Sequence, residues 1–429
     1  MSPCPDADNP GRVSPVVLAR GLSTEDVGMS QNQRAYGTRA DEVHPFFRAK
    51  REWSRVKDRI VGSYIACYLK TVQHRGRPII IVDAFAGPGS FGDGSEGSPL
   101  IVCGAIGKAP KRGVGIACLF SDSHPAHRAA LEERLSDYVK QGIAGKPLSD
   151  FSEALSCALQ VGKGATLFFY LDPYGIKDLD FDTVKQIYER DTSQSTEVLI
   201  NFNFKTFMRM SGNWSYTDSA DDVARKVKES KIETVNSVMG GDYWIELVTN
   251  PRLDKTQRED AVVGAYMDRV RAFFQYTYAI PVKEMDDGAG VPSDDLAKYH
   301  LIFGTRSARA VLYMNDVANI ALEPYFNQFK DGLLFSMTPR RYEPTSMEDV
   351  KSAILRVVNG RAMTRPQIYE AIVPGFFLQY RSKDYRAMID GLVFKENRLF
   401  ADPRTVKRKN KLNNETLLST KPWPGGGGR

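Results

Sequence analysis

The 429-residue sequence predicts an α/β protein, a doubly wound parallel sheet followed by a smaller helical module. Three observations predict it. Ile79 to Gly92 reads IIIVDAFAGPGSFG, a β-branched apolar run that ends in an acid and a glycine-rich turn. A buried parallel strand enters its ligand-binding loop in this way. Downstream, short apolar runs alternate with stretches of helical spacing. Beyond Pro344 the texture changes to amphipathic helical patterns, and the basic charge gathers there. Pro339 to Arg429 holds 18 Lys and Arg against 9 Asp and Glu, while the rest of the chain holds 40 against 43.

Each element follows in order. Residues 1–40 are rich in Pro, Gly, Ser, Asp and Asn without sustained periodicity, which predicts a disordered tail. Phe46 to Leu69 carries Trp53, Val56, Ile60, Tyr64, Ala66 and Cys67 at helical spacing. After the strand at Ile79–Val82, Ile116–Phe120 reads as a second strand ending at Ser121-Asp122, and Ala126–Tyr138 as a helix. A further strand is expected to end at Asp150 and Phe151, before a short helix over Glu153–Leu159. Ala165–Leu171 is an intensely apolar strand that stops at Asp172-Pro173-Tyr174-Gly175. Phe181–Tyr188 reads as a helix and Glu197–Phe202 as a strand. Residues 205–260 break the rhythm as a helical insertion, either beside an active site or as a cap on the core. Ala261–Phe274 is helical, and Tyr276–Val282 and Tyr299–Met314 read as strands, the second bending near Gly304.

In the C-terminal part, Met347–Val358, Thr364–Ile372 and Ser382–Leu392 read as helices, with Thr364 as an N-cap. A ribbon is expected over Val393–Phe400, which completes a winged-helix-like pattern. Residues 406–429 read as a basic, low-complexity tail.

Hydrophobic residues are 42% and charged residues 26%, and no apolar run approaches the roughly 20 residues of a membrane span. The first residues, MSPCPDADNPGR, lack the basic and apolar regions of a secretory signal, so a cytoplasmic protein is expected. Five scattered cysteines, Cys4, Cys67, Cys103, Cys118 and Cys157, form no C-x-x-C pair and predict reduced thiols. They do not ligate an iron–sulfur cluster within this chain. His124 and His127 lack the further ligands a metal site needs, so no metal is expected.

The glycine loop admits several readings. Gly87 to Gly92 fits the G-x-G-x-x-G dinucleotide pattern, but that fingerprint places an acid about 20 residues downstream. Here the acid precedes Gly87 by four residues, and nothing acidic lies between Glu96 and Asp122. A P-loop fails, because Ala109 follows Gly107-Lys108. A turn that binds nothing remains open. D-x-F-x-G-x-G resembles the first motif of class I S-adenosyl-L-methionine (SAM) methyltransferases, whose loop wraps the methionine moiety. That resemblance assigns Asp83, Phe85, Gly87, Pro88 and Gly89 to the donor.

Asp122, at a strand end, is then expected on the ribose hydroxyls, which suit two carboxylate acceptors; a solvated turn acid is the alternative. Asp150 and Phe151 stand where an acid takes the adenine amino group and a ring covers the base, or simply end a strand. Asp172-Pro173-Tyr174 is similar to the D-P-P-Y tetrad of methyltransferases acting on base amino groups. There the acid and the proline carbonyl accept the N–H groups, and the aromatic ring stacks on a flipped or single-stranded base. This chain has one proline, with Gly175 after the aromatic, so the acceptor stays open, and D-P-x-G is also a good turn sequence. Lys383, Arg386 and the run Lys407, Arg408 and Lys409 suit the phosphates of DNA or RNA, with protein docking as the alternative.

DAFAGPG, Glu96-Gly97-Ser98-Pro99, LDPYG and INF at 200–202 together resemble the three-Cys-motif partner (TcmP) family of bacterial proteins. The resemblance runs from about 45 to 335 and, more loosely, into the C-terminal region. It implies a Rossmann-like class I methyltransferase fold over 41–335, a winged-helix-like domain over 340–405, and SAM as cofactor. It also implies a partner, the cysteine-motif protein encoded beside family members and taken to bind an iron–sulfur cluster. Tyr174 stands where the family has phenylalanine, a change that keeps a stacking ring. A non-catalytic adaptor that keeps the fold and docks this partner or DNA is the second functional expectation.

Overall fold

A computed structural model describes residues 44–110, 112–212, 222–284, 296–331, 345–406 and 411–423. The chain divides into two compact units between Arg306 and Ser307.

The first unit is built on six strands: β1 (Ile79–Asp83), β2 (Ile116–Phe120), β3 (Thr166–Leu171), β4 (Thr196–Phe202), β5 (Tyr276–Val282) and β6 (Tyr299–Thr305). Their order in the sheet is β2-β1-β3-β4-β6-β5. The first four run parallel, and β6 lies antiparallel between β4 and β5. This is a Rossmann-like α/β arrangement. Every residue of β1, β3 and β4 is buried, as expected of strands covered on both faces.

Nine helices complete the described part of this unit: α1 (Glu52–Val72), α2 (Ser98–Gly107), α3 (Pro125–Lys140), α4 (Phe151–Val161), α5 (Phe181–Tyr188), α6 (Phe204–Ser211), α7 (Asp222–Met239), α8 (Trp244–Thr249) and α9 (Lys255–Arg271). On one face of the sheet, Ile80, Val82, Leu167 and Phe169 join Leu155 of α4, Val184 of α5 and Val262 of α9 in one core. On the other face α1 lays down Tyr64 and Tyr68, whose rings meet Phe168 at 5.6 and 5.5 Å. The side chains of Asp180 and Asp254 cap α5 and α9 by accepting the N–H groups of Thr183 and Gln257 at 2.8 Å each.

Three expectations for this unit change. The helix expected from Phe46 begins only at Glu52, because extended Ala49 separates it from a 3-10 turn over Pro45–Arg48. Where a strand was expected to end at Asp150, only two isolated parallel bridges appear, Cys118 with Ala144 and Ser121 with Leu148. Pro147, between them, has no N–H to donate to a ladder. The strand expected over Tyr299–Met314 stops at Thr305. Ser307 then starts a helix by accepting the Ala310 N–H on Oγ at 3.3 Å.

The second unit contains α10 (Ala308–Asp331), α11 (Met347–Val358), α12 (Arg365–Ile372) and α13 (Ser382–Phe394). A three-stranded sheet, β7 (Met363–Thr364), β8 (Phe400–Ala401) and β9 (Leu417–Ser419), has β9 at its centre. Val350, Ile354, Ile368, Ile389 and Leu392 form its core with Leu418. Asn315 takes the Leu378 N–H on Oδ1 and donates from Nδ2 to the Tyr380 carbonyl, 2.8 Å each, which steadies Leu378 in its left-handed conformation.

The ribbon expected over Val393–Phe400 is displaced. α13 carries on through Val393 and Phe394, the turn comes at Asn397 with φ +54°, and the paired strands are β8 and β9. A segment expected to be tail therefore supplies the central strand. Among the described residues no helix is long and apolar enough to cross a membrane.

Candidate functional site

The sheet changes winding direction at β1, which has β2 on one side and β3 on the other. Crevices at such points are where open α/β sheets hold ligands. Asp83 ends β1 and pairs across with Tyr170, two residues before Asp172. The two acids thus come from motifs far apart in sequence to neighbouring strand ends.

Asp83 is fully buried, and Ser98 at the start of α2 donates its hydroxyl to it at 2.7 Å. Burial pushes its carboxyl up to about 7; the Ser98 bond opposes the rise and the nearby charge of Asp172 adds to it. Asp172 is held by three donors. Tyr170 donates its hydroxyl to Oδ2 at 3.1 Å, the Lys57 ammonium reaches the same oxygen, and Asn201 Nδ2 reaches Oδ1 at 2.6 Å. Asn201 Oδ1 is buried and finds no partner among the described residues.

Lys57 and its neighbour Asp58 project from α1, and Lys50 Nζ lies 2.6 Å from Asp58. Lys50, Asp58, Lys57 and Asp172 therefore form a run of alternating sign, with Lys57 and Asp58 buried and Lys50 and Asp172 partly so. Burial alone would lower the Lys57 pKa, but the carboxylates of Asp172 and Asp58 outweigh it and the net direction is up. Burial raises Asp58, against the pull of Lys57 and Lys50.

The glycine loop is buried from Gly87 to Gly89. Gly87 has φ +62° and Gly89 φ +83°, conformations that exclude most side chains. A Cβ on Gly89 would stand 2.9 Å from Leu131 of α3, so this glycine serves helix–loop packing. A Cβ on Gly87 would stand 2.7 Å from the ring of Phe47. The Pro88 carbonyl accepts from Arg134 at 3.0 Å.

Asp122 lies beside this loop and receives three protein N–H donors. Gly87 donates to Oδ2 at 3.0 Å, and His124 N–H and His127 Nδ1 reach Oδ1 at 2.8 and 3.0 Å. His127 Nε2 accepts the His44 backbone N–H at 3.1 Å, which fixes the ring proton on Nδ1. The two histidines thus hold an acid, and among the described residues no group of side chains is arranged for a metal.

Phe85 and Phe151 pack together at 5.4 Å. Asp150 is the N-cap of α4, accepting the Glu153 N–H at 2.9 Å. Pro173 is buried, whereas Tyr174 is 54% exposed. The Tyr174 ring meets His44 at 4.9 Å and Phe46 at 5.4 Å. Residues Pro45–Arg48 form a single 3-10 turn lying over the loop, with Phe47 against Phe91 at 5.5 Å and His127 at 5.0 Å.

In the second unit Lys383 and Arg386 are exposed on α13. Lys407, Arg408 and Lys409 lie outside the described residues. Much other basic charge of this unit is paired internally, as in Lys351–Glu396, Arg398–Glu348 and Arg309–Glu370 at 2.6, 2.6 and 2.7 Å.

Lys50, Lys57, Asp58, Tyr170, Asn201 and the Phe46–Phe47 pair entered the site without being expected there. Two signals were present in the sequence. Lys57 and Asp58 interrupt the apolar face between Val56 and Ile60, and Asn201 is the polar centre of an otherwise apolar I-N-F. Comparison with protein-family models and with curated proteins gave no match.

Proposed function

We propose that the first unit binds SAM at the crevice above β1 and β3 and is a methyltransferase-like core of the three-Cys-motif partner kind, acting on or near nucleic acid. The observation that carries this reading is the pair Asp83, fully buried, and Asp172, partly buried, at adjacent strand ends beside a glycine loop. The residues fit such a ligand: Gly87 lacks a Cβ and is left-handed, so the loop backbone can be approached closely once the Phe47 ring beside it is displaced, and Asp83 and Asn201 Oδ1 offer buried acceptors. Bound there, SAM supplies an electrophilic methyl group. Asp83 and Asp122 would hold its polar groups, and the backbone of Gly87–Gly89 allows close approach. Asp172, locked by Lys57, Tyr170 and Asn201, is preorganised toward an acceptor, and exposed Tyr174 offers a ring for a planar base. The second unit is read as a winged-helix-like module, with Lys383 and Arg386 available to phosphates.

A second reading has its own support. The oxygens of Asp122 and Asp172 are already taken by protein donors, as in a scaffold that keeps the fold and docks a cysteine-motif partner or DNA. Calorimetric titration with S-adenosylhomocysteine separates the two. Binding in the micromolar range that disappears in Asp83→Ala supports the donor site. No binding, or binding unchanged by Asp83→Ala, removes it in favour of the scaffold.

A further inference from the structure

We propose that Pro45–Arg48 is a gate that closes the glycine loop and must lift before a ligand enters. The inference rests on reading that loop as a donor site and adds its regulation. The Phe47 ring occupies the space beside Gly87 that the missing Cβ leaves open. Under it the loop from Gly87 to Gly89 is buried, and Asp83 is fully so. The ring therefore stands where a bound molecule would meet the loop.

The segment touches each part of the site. Gly92 donates its N–H to the Phe47 carbonyl at 2.7 Å, His44 donates its backbone N–H to His127, and Phe46 meets Tyr174. Lifting it would act on two donor residues together. Gly87 would be uncovered, and His127 would lose the bond that orients its ring toward Asp122.

The segment is built to move. None of Pro45–Arg48 is buried, so lifting breaks surface contacts and leaves the core intact. Its far end is fixed: the Lys50 N–H donates to Asp93 at 3.1 Å, and Lys50 Nζ reaches Asp58 and the Glu96 carbonyl. Exposed Ala49, with extended backbone, separates this anchor from the turn and is the natural hinge. A gate that is mostly closed weakens apparent affinity by the fraction of molecules that are open.

The test uses the full chain, wild type and Phe47→Ala, with hydrogen exchange followed by mass spectrometry and titration by S-adenosylhomocysteine. The expected result is faster exchange over residues 86–92 in the variant and an affinity gain of about tenfold. Adding S-adenosylhomocysteine to wild type should speed exchange over 44–48, a measurement that needs no variant. Wild-type binding with slower exchange over 44–48, or weaker binding by Phe47→Ala, would make the ring a pocket wall and overturn the gate alone. No binding by either protein, with the variant's loop demonstrably opened, would overturn the donor reading and the gate with it.

Discussion

Glu197 lies buried within the sheet, where Tyr64 donates its hydroxyl to Oε2 at 2.5 Å and Thr305 to Oε1 at 3.2 Å. Burial pushes its carboxyl up to about 7, although both bonds pull the other way. An acid raised in the folded state holds its proton there while the unfolded chain has already lost it. Stability should therefore fall as pH rises from about 4.5 to about 7 and level off above, by roughly 3 kcal/mol for this group. Asp83 titrates in the same direction over a similar window. Glu197→Gln should flatten the decline partly, as read from urea midpoints between pH 5 and 8. An unchanged slope would mean that the carboxyl is not neutral in the folded protein. Lys57 and Asp172 differ in kind: their charges are paired, and removing Lys57 leaves the carboxylate with only the neutral donors Tyr170 and Asn201.

At the scale of elements, the junction of β1, the glycine loop and α2 and α3 decides where ligand-facing groups can stand. Gly97 donates its N–H to the Gly89 carbonyl at 2.8 Å and delivers Ser98 to Asp83 as α2 begins. Gly89 lets α3 approach, because its conformation is left-handed and Leu131 fills the space a side chain would need. Gly89→Ala should cost about 2–3 kcal/mol, from backbone strain together with overpacking. Chemical denaturation measures it, and a loss under about 0.5 kcal/mol would show that α3 can withdraw freely. The E-G-S-P run was legible in the sequence as a motif, but its task of placing a hydroxyl on Asp83 was not. That task depends on a backbone bond between two glycines eight positions apart.

For the whole molecule, net charge is a poor guide to where nucleic acid would touch. The sequence carries +6, concentrated in the C-terminal part, yet that unit satisfies many of its cations with its own acids. Lys383 and Arg386, exposed on α13, are the described residues that the phosphate reading singles out. Replacing both with alanine in the full chain should weaken DNA or RNA binding across sequences. It should also flatten the slope of log K against log salt by about 2. An unchanged slope in a fluorescence titration would move the contact off α13.

β1 to β4 were legible in the sequence, with an acid at or just past the ends of the first three, although a further strand expected to end at Asp150 did not form. Apolar runs that stop at Asp83, Ser121-Asp122 and Asp172 are local signals, set by neighbours on the same strand. The sequence also located the closing pair of strands, but it ran β6 on past Thr305 and placed the ribbon of the second unit over the end of α13 and the turn after it. Apolar runs at Val393–Phe394 and beyond Thr305 suit either structure, and the choice fell to packing. Tertiary structure alone decided what surrounds the acids. Lys57 meets Asp172 across 115 positions, His44 meets His127 across 83, and Phe47 covers Gly87. Such partners share no periodicity with the residues they hold. They meet because α1 and the turn before it pack over the ends of β1 and β3, a juxtaposition that only the folded chain creates.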